Sequence, residues 1–192
     1  YSVEKHKSLK EVPPLQWFRF EALLTWISGF SLLWVVYYWG GGMLSPTSAY
    51  SEGAAIGIGL STMVGGFGIY HLLWKSPLQK YERFGAWLCY ALVVLLGYGL
   101  TQVMNGRAAY IHMGALFGTI MAANVWMCIL PAQRRMVAAI KEGTALDPNL
   151  AHQAKTRSRH NTYMSVAVVF IMISNHFPTV SFGGDLNWLR LA

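Results

Sequence analysis

Histidine is the residue type with the widest chemical reach in this chain. Imidazole is the usual axial ligand of membrane b-type haem, and an ionisable group inside a bilayer is by default a functional candidate. Of the six histidines, His6 and His152 fall in polar segments and read as solvated. The other four lie near the ends of apolar stretches and form two levels. His112 sits about 4–5 Å below the start of its stretch at ~1.5 Å rise per residue, and His176 lies near the end of another stretch on the same side. His71 and His160 share the opposite level. Two candidate haem b sites follow, one held by His112 with His176 and a second by His71 with His160. Stacked in this way they would carry electrons across a bilayer. The competing reading is that interfacial histidines are tolerated because one side of the ring reaches water, and matched depth does not establish matched rotation.

Other chemistry is narrower. Cys89 and Cys128 fall inside apolar runs, with no CxxC and no CxxCH. That excludes zinc, iron–sulfur and covalent c-type haem sites built from cysteine within this chain, and both read as small packing residues. There is no GxGxxG, phosphate loop or HExxH; Gly40-Gly41-Gly42 reads as a turn. Asn124, deep in its stretch, and Asn175, beside His176, suit interhelical hydrogen bonds. Glu21 near Arg19 reads as an interfacial ion pair. Trp17, Trp26, Trp34, Trp39, Trp74 and Trp87 include several expected in interfacial belts, the alternative being an aromatic electron relay.

The elements that must position these residues are helices in lipid. The chain has 192 residues, 54% hydrophobic and 12% charged, against about 25% charged in soluble domains. Five stretches, roughly 20–39, 53–74, 84–104, 109–131 and 161–177, are long and apolar enough to span, given that about 20 helical residues cross the hydrocarbon core. The fifth is the shortest. Backbone groups in lipid must be satisfied internally, so the predicted fold is an all-α integral membrane bundle of about five transmembrane helices. Basic residues set its orientation. Lys5, Lys7, Lys10 and Arg19 precede the first span, Lys75, Lys80 and Arg83 follow the second, and Arg134, Arg135, Lys141, Lys155, Arg157 and Arg159 follow the fourth; only Arg107 and Arg190 fall on the other side. The start of the chain is therefore expected in the cytoplasm. The net charge of +7 sits between spans rather than on one soluble face, which argues against a nucleic-acid partner.

Residues 132–142 are basic and helix-prone, so the fourth span is expected to continue past a bend near Pro131 and to stop at Gly143. Asp147-Pro148 is expected to start a further short helical turn. The basic charge here is topogenic, or favours anionic headgroups. Small residues recur four apart at Gly53, Gly57, Ser61 and Gly65, and at Gly114, Gly118 and Ala122. Close helix packing is the expectation; room for a flat porphyrin is the alternative. The run Asn187 to Ala192 reads like the start of another segment, as in a fragment.

At this point the residues resemble a known family, the N-terminal membrane domain of bacterial membrane-bound, cytochrome-c-linked urate oxidases. The blocks that carry the resemblance are Gly106-Arg107-Ala108-Ala109-Tyr110-Ile111-His112 through Asn124-Val125, then Ile129-Leu130-Pro131 with Gln133-Arg134-Arg135, and Arg157-Ser158-Arg159-His160-Asn161-Thr162-Tyr163 leading to Ser174-Asn175-His176-Phe177-Pro178. Trp17-Phe18-Arg19-Phe20-Glu21-Ala22 and Lys75-Ser76-Pro77-Leu78 add to it. The resemblance implies residence in the bacterial inner membrane and oxidation of urate to 5-hydroxyisourate, with electrons passed to the haem of a cytochrome c domain or partner. It also implies an earlier histidine-bearing helix, later spans and a CxxCH domain that this chain does not contain. His112 and His176, nearest an outward-facing cytochrome, would hold the haem b that accepts the electrons. The alternative function is a non-catalytic accessory transmembrane subunit packed among other subunits of a respiratory or photosynthetic electron-transfer complex.

Overall fold

The computed structural model describes residues 16–145 and 147–177, with side chains from Arg19 onward. Expectations placed on Lys5, His6, Lys7, Lys10, Arg190 and the Trp17 side chain lie outside these. Helix α1 (Gln16–Leu33) continues through a π-helical segment, Trp34–Trp39. Then come α2 (Glu52–Leu73), a 3₁₀ turn (Pro77–Lys80), α3 (Glu82–Val103), α4 (Gly106–Asn124), α5 (Leu130–Glu142) and α6 (Pro148–Ser174). Among the described residues there is no strand beyond one isolated bridge, Leu44 with Met104. The helices start at side-chain caps, as orphan first-turn N–H groups require: Ser51 accepts from Ala54 N, Asn105 from Ala108 N and Asp147 from Asn149 N.

Four helices are long and apolar enough to cross a membrane: Arg19–Trp39, Glu52–Leu73, Glu82–Val103 and Gly106–Glu142. The fifth predicted span is helical but falls short of that standard. Asp147-Pro148 opens no short turn of its own; it caps one 27-residue helix, α6, that runs into the fifth stretch. Its first half carries Lys155, Arg157, Arg159, His160 and Asn161, which dilutes its hydropathy. Gly143, at φ +67°, ends α5 in the left-handed conformation that glycine adopts without a Cβ penalty. The expected disruption at Pro131 takes the form of a π-helical segment, Val125–Ile129, between α4 and α5. Proline has no N–H for the carbonyl four residues back, and a widened turn absorbs the lost bond.

Helix α4 is the centre of the bundle, packing on α6 most extensively and also on α2, α1 and α3. It buries eight residues, including Tyr110, His112 and Asn124. Many outward side chains are large and apolar, among them Leu24, Leu32, Val64, Trp87 and Leu95, as a lipid-facing surface requires. One end of the bundle is closed by the 40–51 connection: Asn105 Nδ2 donates to Gly42 O at 2.7 Å, and Asn105 N to Met43 O at 2.9 Å. Arg107 reaches Asn175 there, with Nε 3.3 Å from Oδ1. At the opposite end, Glu82 holds the start of α6 through Arg159 at 2.7 Å, His152 at 3.5 Å and the Thr156 hydroxyl at 3.2 Å. The helix ends thus gather in the two sets that the basic residues predict.

Three expectations need correction. Arg19 makes no ion pair with Glu21; its guanidinium lies 4.6 Å from the Phe20 ring centroid, because residues two apart on a helix diverge. Trp74 is buried at 6% exposure against Gly85 and His160 rather than placed in a belt. The stripe Gly53, Gly57 and Gly65 packs against nothing: a Cβ at any of them would meet open space. The glycines that permit close approach on α2 are Gly59, against His112, and Gly66, against Leu116.

Candidate functional site

Two buried polar clusters occupy opposite ends of the bundle. The larger forms where α2, α4 and α6 meet. Arg157, His160 and Asn161 share one face of α6, being three and four residues apart. Asn124, the last residue of α4 and fully buried, ties three helices together. Its Nδ2 donates to Tyr70 Oη at 3.0 Å and to Asn161 Oδ1 at 2.9 Å. Asn161 Nδ2 returns a bond to Met121 O at 3.0 Å, near the end of α4. Tyr70 Oη lies 2.9 Å from His160 Nδ1. With Asn124 donating to the phenol oxygen, the phenol hydrogen is available to Nδ1, which leaves Nε2 as the protonated nitrogen of a neutral His160.

Arg157 sits inside this network at 5% exposure. Its Nη1 is 3.5 Å from Asn124 Oδ1, and its guanidinium lies 4.7 Å from the Tyr70 ring centroid, a cation–π arrangement. No carboxylate among the described residues pairs with it. Glu82 is held by Arg159 and His152, and Glu21, Glu52, Glu142 and Asp147 are exposed.

This cluster adjoins a cavity of about 990 Å³ between α2, α3, α4 and α6. Tyr70, Trp74, His160 and Tyr163 border one end, whereas the rest of the wall is mostly apolar, Ser61, Thr62, Cys89 and Tyr90 excepted, and includes the open glycine face, Gly57 and Gly65. A large apolar cavity with a few converging polar groups is the usual form of a ligand site.

The second cluster is built around His112, which is wholly buried. Its Nδ1 is 2.7 Å from Ala108 O and its Nε2 is 3.1 Å from Tyr38 Oη. Gly59 presses on the same ring, since a Cβ there would lie 2.6 Å from both Cδ2 and Nε2. Along α1 an aromatic ladder leads to this point: Trp26, Phe30, Trp34 and Tyr38 have successive ring centroids 5.4, 6.2 and 5.5 Å apart, and Tyr38 to His112 is 5.7 Å.

The histidine pairs predicted from depth are not assembled as haem ligands. Both His112 nitrogens are engaged and the ring has no open face, while His176 is exposed. His160 borders the cavity, but His71 does not; its ring tilts onto Phe67 instead, at 5.4 Å between centroids. Tyr70 and His71 are neighbours on a helix, about 100° apart in direction, so when Tyr70 faces His160 its neighbour turns away. This arrangement does not fit a bis-histidine haem.

Arg157 and Tyr70 carry the site, and neither was among the residues predicted to do so. Arg157 reads in the sequence as topogenic charge because α6 is expected to begin at 161. Extending the helix back to Asp147-Pro148 places Arg157 on the same face as Asn161, which was the available signal.

A family model described as urate oxidase N-terminal matches residues 1–192, the whole chain. No curated protein and no solved structure matches it.

Proposed function

Because the chain belongs to the urate oxidase N-terminal family, we propose that it is a membrane redox domain that oxidises urate to 5-hydroxyisourate and passes the electrons to cytochrome c. The family match over residues 1–192 carries this reading. The chemistry sets clear demands. A urate monoanion and one water give 5-hydroxyisourate, one proton and two electrons, so each turnover reduces two molecules of one-electron cytochrome c. A base must accept the proton and the site must exclude competing reactions. The proposed setting is the bacterial inner membrane, with the start of the chain cytoplasmic by the basic-residue asymmetry.

The deciding experiment is anaerobic reduction of ferricytochrome c by urate, using the purified chain in nanodiscs. The expected result is urate-dependent reduction with two cytochromes per urate and no hydrogen peroxide in air. A folded chain that neither binds nor oxidises urate would remove the reading.

One observation favours a second reading. Nothing lies in contact with Gly53, Gly57 or Gly65 of α2, and Gly57 and Gly65 face the open cavity, as expected of an accessory subunit that receives a neighbour's helix within an electron-transfer complex. Co-purification of stoichiometric partner subunits, without urate turnover, would support that role.

A further inference from the structure

Among the described residues, the bundle end that holds Arg157 buries a positive charge that no carboxylate pairs. Of the residues that bear a buried side-chain polar atom without a hydrogen-bond partner among the described residues, Arg19, His71, Trp74 and Gln133, only Trp74 borders the cavity. They come from α1, from the end of α2 and from α5. A buried charge is costly unless it is paired, and native structures leave few buried polar atoms unsatisfied without a functional reason. In the second cluster, by contrast, both His112 nitrogens are bonded. The buried guanidinium, held only by an amide oxygen and an aromatic ring, points to an anionic ligand at the Arg157 end.

We propose that this end of the cavity binds the urate monoanion, with Arg157, stacked on the Tyr70 ring just behind the cavity wall, supplying the compensating charge, His160 Nε2–H the hydrogen-bond donor, and Tyr70 holding His160 in that tautomer. The assignment rests on the urate reading above. Three features select a planar, delocalised anion over a phosphate group. The cavity end is bordered by the rings of Tyr70, Trp74 and Tyr163, which suit a flat heterocycle. The rest of the wall is mostly apolar, and a diffuse single charge loses less hydration there than a compact dianion. His160 Nε2–H is a neutral donor suited to a carbonyl oxygen, of which urate has three.

The binding step involves no electron acceptor and is tested without one. Equilibrium binding of radiolabelled urate would be measured on the full chain in nanodiscs, together with the Arg157→Gln, Arg157→Lys, Tyr70→Phe and His176→Ala variants. The expected result is one site per chain. Arg157→Gln weakens it at least about tenfold, the loss of a charge-assisted interaction, and Arg157→Lys falls between the two. His176→Ala, exposed at the opposite end, binds as wild type. Tyr70→Phe keeps the site testable if Arg157→Gln fails to fold, and is expected to weaken binding several-fold. Wild-type affinity in folded Arg157→Gln or Tyr70→Phe would overturn the site while leaving the urate reading intact. A tightly held phospholipid that urate cannot displace would overturn it as well. Failure of the wild-type chain to bind urate at all would overturn both.

Discussion

Three glycines on one helix should respond to the same substitution with opposite signs. Alanine at Gly57 or Gly65 of α2 adds a methyl group to open space. Relieving a helix-interior glycine is favourable by up to about 1 kcal/mol, an upper bound here because much of the helix persists when a membrane protein denatures. Alanine at Gly59 places the same methyl 2.6 Å from His112 Cδ2 and Nε2 and 3.0 Å from Tyr38 Oη, roughly 1 Å inside the optimal separation. The ring cannot swing aside freely, because Ala108 O and Tyr38 Oη hold it from both nitrogens. Either the helices part or a buried hydrogen bond breaks. Overpacking of this kind costs about 1–3 kcal/mol, and the propensity gain is common to both variants, so Gly59→Ala should be less stable than Gly57→Ala by about 1–3 kcal/mol. Thermal unfolding in one detergent, followed by circular dichroism, would rank the three variants. A Gly59→Ala midpoint equal to or above that of Gly57→Ala would refute the packing of His112 on α2.

Two further outcomes test the clusters themselves. Asn124→Leu removes the amide that joins α2 to α6 and leaves Tyr70, Asn161 and Arg157 short of partners; it should destabilise the chain by about 2–3 kcal/mol, whereas Asn175→Leu at the rim should cost well under about 1 kcal/mol. Denaturant or thermal titration in detergent separates them. A dithionite-reduced minus air-oxidised spectrum of the purified chain should show no b-type haem band that depends on His176. A stoichiometric band lost in both His112→Ala and His176→Ala would instead restore that pair as axial ligands.

The apolar helices were legible in the sequence, and for a plain reason. Spanning length, apolar composition and the placement of lysine and arginine are properties of the chain taken in order, and lipid leaves helices as the only simple way to satisfy the backbone. The stop at Gly143 and the start at Asp147-Pro148 were equally local, since caps depend on a few consecutive residues.

Which residues meet was decided only by the tertiary structure. Depth along a helix follows from counting residues, but contact also requires rotation about each axis, and rotation is set by how all the helices pack together. His112 and His176 share a level yet differ in every other respect: one is enclosed by Gly59, Tyr38 and Ala108, the other is exposed. His71 lost its place at the cavity to its neighbour Tyr70 for the same reason. Arg157 changed most, from a charge counted among thirteen to the buried cation of a polar network. Four residues before the predicted span, it lies within reach of Asn124 only because α6 begins at Pro148 and is held there by Glu82, a residue 75 positions earlier in the chain.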